Sequence, residues 1–289
     1  MTNALFAQID TLNPNQLVNM TEVESGSGSR RLLPTGTAIV RLSSYIEFGK
    51  HIVTFGGQAK PAAPQFKLGF CIVGGGGQNK AGEGEPYVRE AGIFPFISTF
   101  DTTMSQHEKA KAVKYFNALN RVGNKATHFV QKVQEQCLYS LPVSTITKNG
   151  KEYNEFDFTN LQVAVNPQTY KAYTDDEMPK LEDKHIQVFL WEHCTPEMWK
   201  SIEIEGQWEA QKDAAGNITK PARSKNFLQE KCLSAIDFEG SPLQLMLQEQ
   251  GASYTVPELS TTPEEQPVQA EPELPKAEGT VQAPPSIDD

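Results

Sequence analysis

Apolar and β-branched positions cluster into short runs in the first half of the chain and take helical spacing later. Residues 37–48, Thr-Ala-Ile-Val-Arg-Leu-Ser-Ser-Tyr-Ile-Glu-Phe, alternate in part and predict a long strand. Gly49 breaks that pattern, and 51–55 predicts a second, short strand. The stretch 56–64 holds Gly56-Gly57, Pro61 and Pro64 and reads as a loop. Residues 66–73 predict a strand with one strongly apolar face, and Gly74 to Pro86 a mobile loop. A helix is expected over 105–119, opened by Ser105 and Glu108 as a capping box. A second is expected over 127–138, with Phe129, Val130 and Val133 on one side. The clearest local signal is Asn149-Gly150 between the β-type runs 143–148 and 152–158, which predicts a tight hairpin. Strands are expected at 161–165 and 187–191, a short helix from Thr195-Pro196 to Ile202, and closing helices at 224–236 and 242–248.

This order is α+β and β-rich, without the βα alternation of a parallel sheet. Five or six strands about one core suit a small antiparallel barrel with inserted and C-terminal helices. The expected organisation is a flexible N-terminal segment over 1–30, one folded domain over 31–250 and a disordered tail over 251–289. The tail holds eight Asp or Glu against Lys276 alone, a net of −7. The whole chain carries −10, so residues 1–250 carry only −3. Such a tail buries too little apolar surface to offset its ordering entropy. An acidic tail behind a nearly neutral body suits a protein that binds nucleic acid, and it suits a plain solubilising arm as well.

Other chemistry is sparse. Four separated cysteines without a Cys-x-x-Cys pair read as reduced thiols of a cytoplasmic protein. No apolar run approaches the roughly 20 residues of a membrane span, and no secretory signal is visible. Gly74-Gly75-Gly76-Gly77-Gln78-Asn79-Lys80 lacks the Gly and Ser/Thr that flank the lysine of a phosphate loop. His185, His193 and Cys194 lack the close pairing of a structural zinc site. No nucleophile, base and oxyanion set assembles, so neither an enzyme nor a cofactor is expected.

The strand regions do interleave aromatic rings with cations, which is what stacking bases and neutralising phosphates require. Alternation places Arg41, Ser43 and Tyr45 on one face of the first strand, opposite Val40, Leu42, Ser44 and Ile46. The candidate DNA-binding residues are Arg41, Tyr45, Phe48, Lys50, Lys60, Lys67, Lys148, Lys151 and Tyr153. Phe66, Phe70, Phe156 and Phe158 are expected to be mainly core.

Several stretches resemble single-stranded-DNA-binding proteins of tailed bacteriophages. They are Leu33-Pro34-x-Gly36-x-Ala38-x-Val40-Arg41 through Glu47-x-Gly49, the Gly-Gly-x-x-Lys-Pro loop, the Phe-x-Leu-x-Phe strand and the Asn-Gly hairpin. Phe189-Leu190-Trp191, Trp199 through Gly206, and Ser224 through Ser241 extend the pattern over about 31–250. The resemblance implies an OB-like barrel that binds single-stranded DNA during replication and recombination, in a host-cell cytoplasm. It also implies an acidic tail that recruits partners through its last residues, here Ile287, Asp288 and Asp289. Many such tails end in an aromatic residue, and this one does not. Two other readings stand beside it. One is a virion or assembly protein with a solvating acidic arm. The other is a factor acting on nucleic acid through Asp157, Asp175, Asp176 and Glu177.

Overall fold

The computed structural model describes residues 32–55, 58–79, 82–90, 92–178, 180–212 and 217–251. The expected flexible segment 1–30 and the tail beyond Gly251 lie outside them. The chain gathers into two compact units, one from residues up to 47 with 66–190, the other from 48–65 with 191 onward.

The first unit is organised on β1 (Thr35–His51), which begins two residues before the predicted strand. Every residue from Ala38 to Ile46 is buried, so both faces of the strand are covered. On one flank β8 (Leu138–Lys148) runs antiparallel, from Gly36↔Val143 to Arg41↔Leu138. β4 (Ala63–Gln78) also pairs with β1, and β11 (Gln187–Phe189) joins it in parallel at Ser44, Tyr45 and Ile46. β4 additionally carries β5 (Gly84–Pro86), β6 (Phe96–Ser98) and β7 (Thr102–Thr103). β8 carries β9 (Lys151–Phe156) and β10 (Gln162–Val163). The fold is α+β, with a mostly antiparallel nine-stranded sheet in the order β10-β8-β1-β4-β5 among the described residues. That path ends on two edges and is not closed, which corrects the expectation of a barrel. Extra strands take up the free sides of β8 and β4, so the two ends of the sheet do not meet.

The glycine run is where the local reading fails most. Gly74 to Gln78 continue β4 and pair with β5, from Gly76↔Pro86 to Gln78↔Gly84, where a loop was expected. A Cβ at Gly76 would lie 2.7 Å from the Glu85 carbonyl oxygen, and one at Gly77 would run into the Thr35 carbonyl. These residues are small because three backbones converge there. Gly49 likewise continues β1, at φ +75 with the Trp191 ring packed where a side chain would stand.

Two helices cover this sheet. α1 (Lys111–Leu119) buries Ala112, Tyr115, Ala118 and Leu119, a helical spacing on one face. It starts six residues after the expected cap, and Ser105 instead accepts the His107 N–H at 3.3 Å in a preceding turn. α2 (Phe129–Glu135) is capped by His128, whose ring accepts the Val130 N–H, while Gln131 accepts the His128 N–H. Phe129 locks it down, with ring centroids 5.3 Å from Tyr45, and 5.1 Å from both Phe66 and Phe116. Lys132 of the same helix is fully buried. Its ammonium donates to the Val122 carbonyl at 2.8 Å and to Glu135 at 2.7 Å, pinning the loop that follows α1. Phe66, Phe70 and Phe158 are buried, and Phe156 is partly so.

The second unit holds a two-stranded turn of β2 (Thr54–Phe55), within the short strand expected over 51–55, and β3 (Gln58–Ala59), inside the stretch expected to be loop. It also holds α3 (Pro196–Ser201), α4 (Phe227–Leu233) and α5 (Pro242–Glu249). Thr195 and Ser241 cap α3 and α5, each with Pro in the first turn. Between α3 and α4 lies a ribbon of β12 (Gln207–Trp208), β13 (Gln211–Lys212), β14 (Ile218–Lys220) and β15 (Arg223–Ser224). No helix among the described residues is long and apolar enough to cross a membrane.

Candidate nucleic-acid interface

Three of the nine candidate contact residues are interior. Arg41 is fully buried, and its guanidinium donates to the Gln136 and Met178 carbonyls and, at 2.9 Å, to Asp175. Tyr45 is fully buried in the cluster around Phe129, and its hydroxyl donates to Glu47 at 2.7 Å. Burial and then the Glu47 charge push the phenol pKa up from its ordinary value. Phe48 is fully buried, with the Lys231 ammonium 5.2 Å from its ring centroid. None of the three offers a surface to a base or phosphate. Alternation points Arg41 and Tyr45 to a solvated face, and β1 has none from Ala38 to Ile46.

Lys50, Lys60 and Lys67 sit on separate pieces of structure. The Lys50 backbone N–H donates to Asp237 at 2.7 Å, and its ammonium stands 3.8 Å from the same carboxylate. Lys60 is exposed. Lys67 forms an ion pair with Asp101 at 3.0 Å, its side chain only 20% exposed. Three of the carboxylates considered for metal chemistry are occupied structurally. Asp175 pairs with Arg41 and Lys180, Glu177 accepts the Thr174 N–H, and Asp157 accepts from Thr159. Among the described residues no group of three His, Cys, Asp or Glu is placed to hold a metal ion.

The remaining three candidates come together on the β8–β9 hairpin. Asn149 and Gly150 take φ +50 and +73, the double left-handed turn that this dipeptide favours. The register then sets Lys148 opposite Lys151 and Ile146 opposite Tyr153. Residues directly opposite share a face, so the two lysines and the tyrosine lie on one face at the tip. Tyr153 is 43% exposed. The opposite face carries Val143, which is buried, across from Phe156, which packs against the core. Asn154 fixes the ribbon laterally, donating to the Leu33 carbonyl at 2.7 Å and accepting its N–H at 2.8 Å. Two like charges directly opposite each other cost about 0.2–1 kcal/mol of hairpin stability. An anion between them would reverse that sign.

The sequence reading missed the β12–β15 ribbon, which carries Trp208 and Arg223. Its only advance signal was a Gly-containing turn sequence near 216 between two polar, weakly β-type runs. Ile287, Asp288 and Asp289 lie outside the described residues. Compared with protein-family models, curated proteins and solved structures, the chain matches none.

Proposed function

We propose that this chain is a non-catalytic protein that binds single-stranded DNA without strong sequence preference, in replication or recombination. The observation that carries the reading is the tip of the β8–β9 hairpin. There an exposed Tyr153 shares a face with the opposed pair Lys148 and Lys151. A ring for stacking beside cations for phosphate is the minimum such binding needs, and it requires no closed barrel. The composition supports it as well, since a net −7 beyond residue 250 is suited to compete for a basic surface and to recruit partners.

Binding of a labelled oligothymidylate of about thirty nucleotides tests this, read by fluorescence anisotropy between about 50 and 200 mM salt. The full chain should bind, and its affinity should fall steeply as salt rises. Lys148→Glu with Lys151→Glu should weaken binding at least tenfold and shrink the log–log salt slope by about 1.4, as two phosphate contacts are lost. Ending the chain at Gln250 should tighten binding by about three- to tenfold at low salt, with the gain vanishing as salt screens it. No binding by either form at low salt would overturn the reading and favour an assembly role.

A further inference from the structure

Among the described residues, the surface of the β12–β15 ribbon is almost wholly exposed. Of its described residues from Gln207 to Arg223, all those whose side chains are placed are exposed except Ala210, which is half-buried. Trp208 is 42% exposed and Ile218 63%. Isolated two-stranded ribbons are marginal in water, because neither face is covered. This one is held at its base instead. The Lys225 N–H donates to the Gly206 carbonyl at 3.0 Å, and the Ile204 N–H to the Asn226 side chain at 3.1 Å. Gln229 then ties that corner to the Trp199 carbonyl at 2.7 Å. A firm base under a polar, exposed arm places the arm's surface at a fixed site of the second unit.

At that base Trp208 stands directly opposite Arg223, and the guanidinium lies 4.8 Å from the indole centroid. The guanidinium lies over the ring, and Trp208 still keeps 42% of its surface exposed. Lys220, Arg223 and Lys225 follow along the return strand, and with Lys212 these four cations outnumber the two carboxylates of the stretch 207–225, Glu209 and Asp213. This is a local positive stripe on a body that carries −3 over residues 1–250. Its complement is a flexible polyanion with aromatic faces. A second copy fits less well, since Pro221 removes a backbone donor midway along the return strand and blunts that edge for strand pairing.

We propose that this ribbon is a further contact site for single-stranded DNA, with one base stacked on Trp208 and the adjoining phosphates on Lys220 and Arg223. The proposal rests on the function proposed above and assigns it a second, separately testable element.

The test uses the full chain, the same oligothymidylate, and both anisotropy and intrinsic tryptophan fluorescence. Trp191 is 5% exposed, Trp199 is half-buried and Trp208 is 42% exposed, so quenching by DNA is assigned to Trp208 only through its loss in Trp208→Phe. Wild-type emission should drop on saturation, and Trp208→Phe should bind nearly as well while losing most of that drop. Trp208→Ala should weaken binding about tenfold, and Lys220→Glu with Arg223→Glu by at least as much, while melting temperatures stay unchanged. If wild type binds while Trp208→Ala and the charge-reversed variant bind equally tightly, the ribbon assignment falls and the general function stands. The same holds if those variants leave binding intact but convert a sedimenting dimer to a monomer, since the ribbon then serves a second copy. If wild type binds no oligothymidylate, the function falls and the ribbon assignment with it.

Discussion

Gly75→Ala is expected to lower the melting temperature by roughly 8–16 °C, or to yield no folded protein, in circular-dichroism melts. Gly75 sits within β4 at φ +87, a conformation that L side chains rarely adopt. A Cβ there would collide with the Thr37 carbonyl and lie 3.0 Å from the Ala38 Cα. Both atoms belong to the backbone of the central strand, so no side-chain rotation relieves the collision. Backbone strain and forced separation of the strands together cost about 4 kcal/mol. Gly84 supplies the control. It lies on β5, has nothing within 4 Å of an added Cβ, and does not take a positive φ. Gly84→Ala should move stability by less than about 0.5 kcal/mol. A Gly75→Ala protein melting beside the Gly84→Ala control would show that the three backbones do not pack this closely.

The contrast between these glycines shows what the sequence can and cannot express. The hairpin was legible because Asn149-Gly150 states a backbone requirement locally, and two flanking runs supply the strands. Lys148, Lys151 and Tyr153 were therefore nameable as candidates on one hairpin, and the register then sets them on one face. Gly74 to Gly77 state no such local requirement. Four glycines in a row look like a loop, and the reason for them lies on Thr35, Thr37 and Glu85, distant in sequence. β1 misled in the opposite way. Its partial alternation predicted a polar face bearing Arg41 and Tyr45, but helices and flanking strands cover both sides. His128 as a cap was hidden because imidazole seldom fills that position, and the helix start was read two residues early. The ribbon after Gly206 was missed because Gln, Glu, Ala and Lys carry little β propensity, and its strands are stabilised at the base.

Arg41→Ala should cost about 3–5 kcal/mol, a loss of stability where a DNA contact would cost only affinity. Its guanidinium satisfies the carbonyl of Gln136, the left-handed C-cap of α2, together with the carbonyl of Met178. Alanine would strip both acceptors and leave a cavity in a strand that is buried on both faces. Arg41→Lys should recover part of the loss, because an ammonium carries the charge but lacks the planar fork that reaches two carbonyls and a carboxylate. The pH dependence separates the two contributions. The hydrogen bond from Arg41, with its charge, holds the Asp175 carboxyl below its ordinary value. A depressed folded-state pKa stabilises the fold above the unfolded value of about 3.9, and that stabilisation is lost as pH falls through the folded one. The Asp175 side chain is 56% exposed, so this share is small and solvent-screened. The gap between wild type and Arg41→Ala should thus stay nearly constant from neutral pH down to about pH 4 and narrow slightly below it. Thermal melts across that range measure both effects. An Arg41→Ala protein that melts like wild type but loses oligothymidylate binding would return this arginine to the DNA surface.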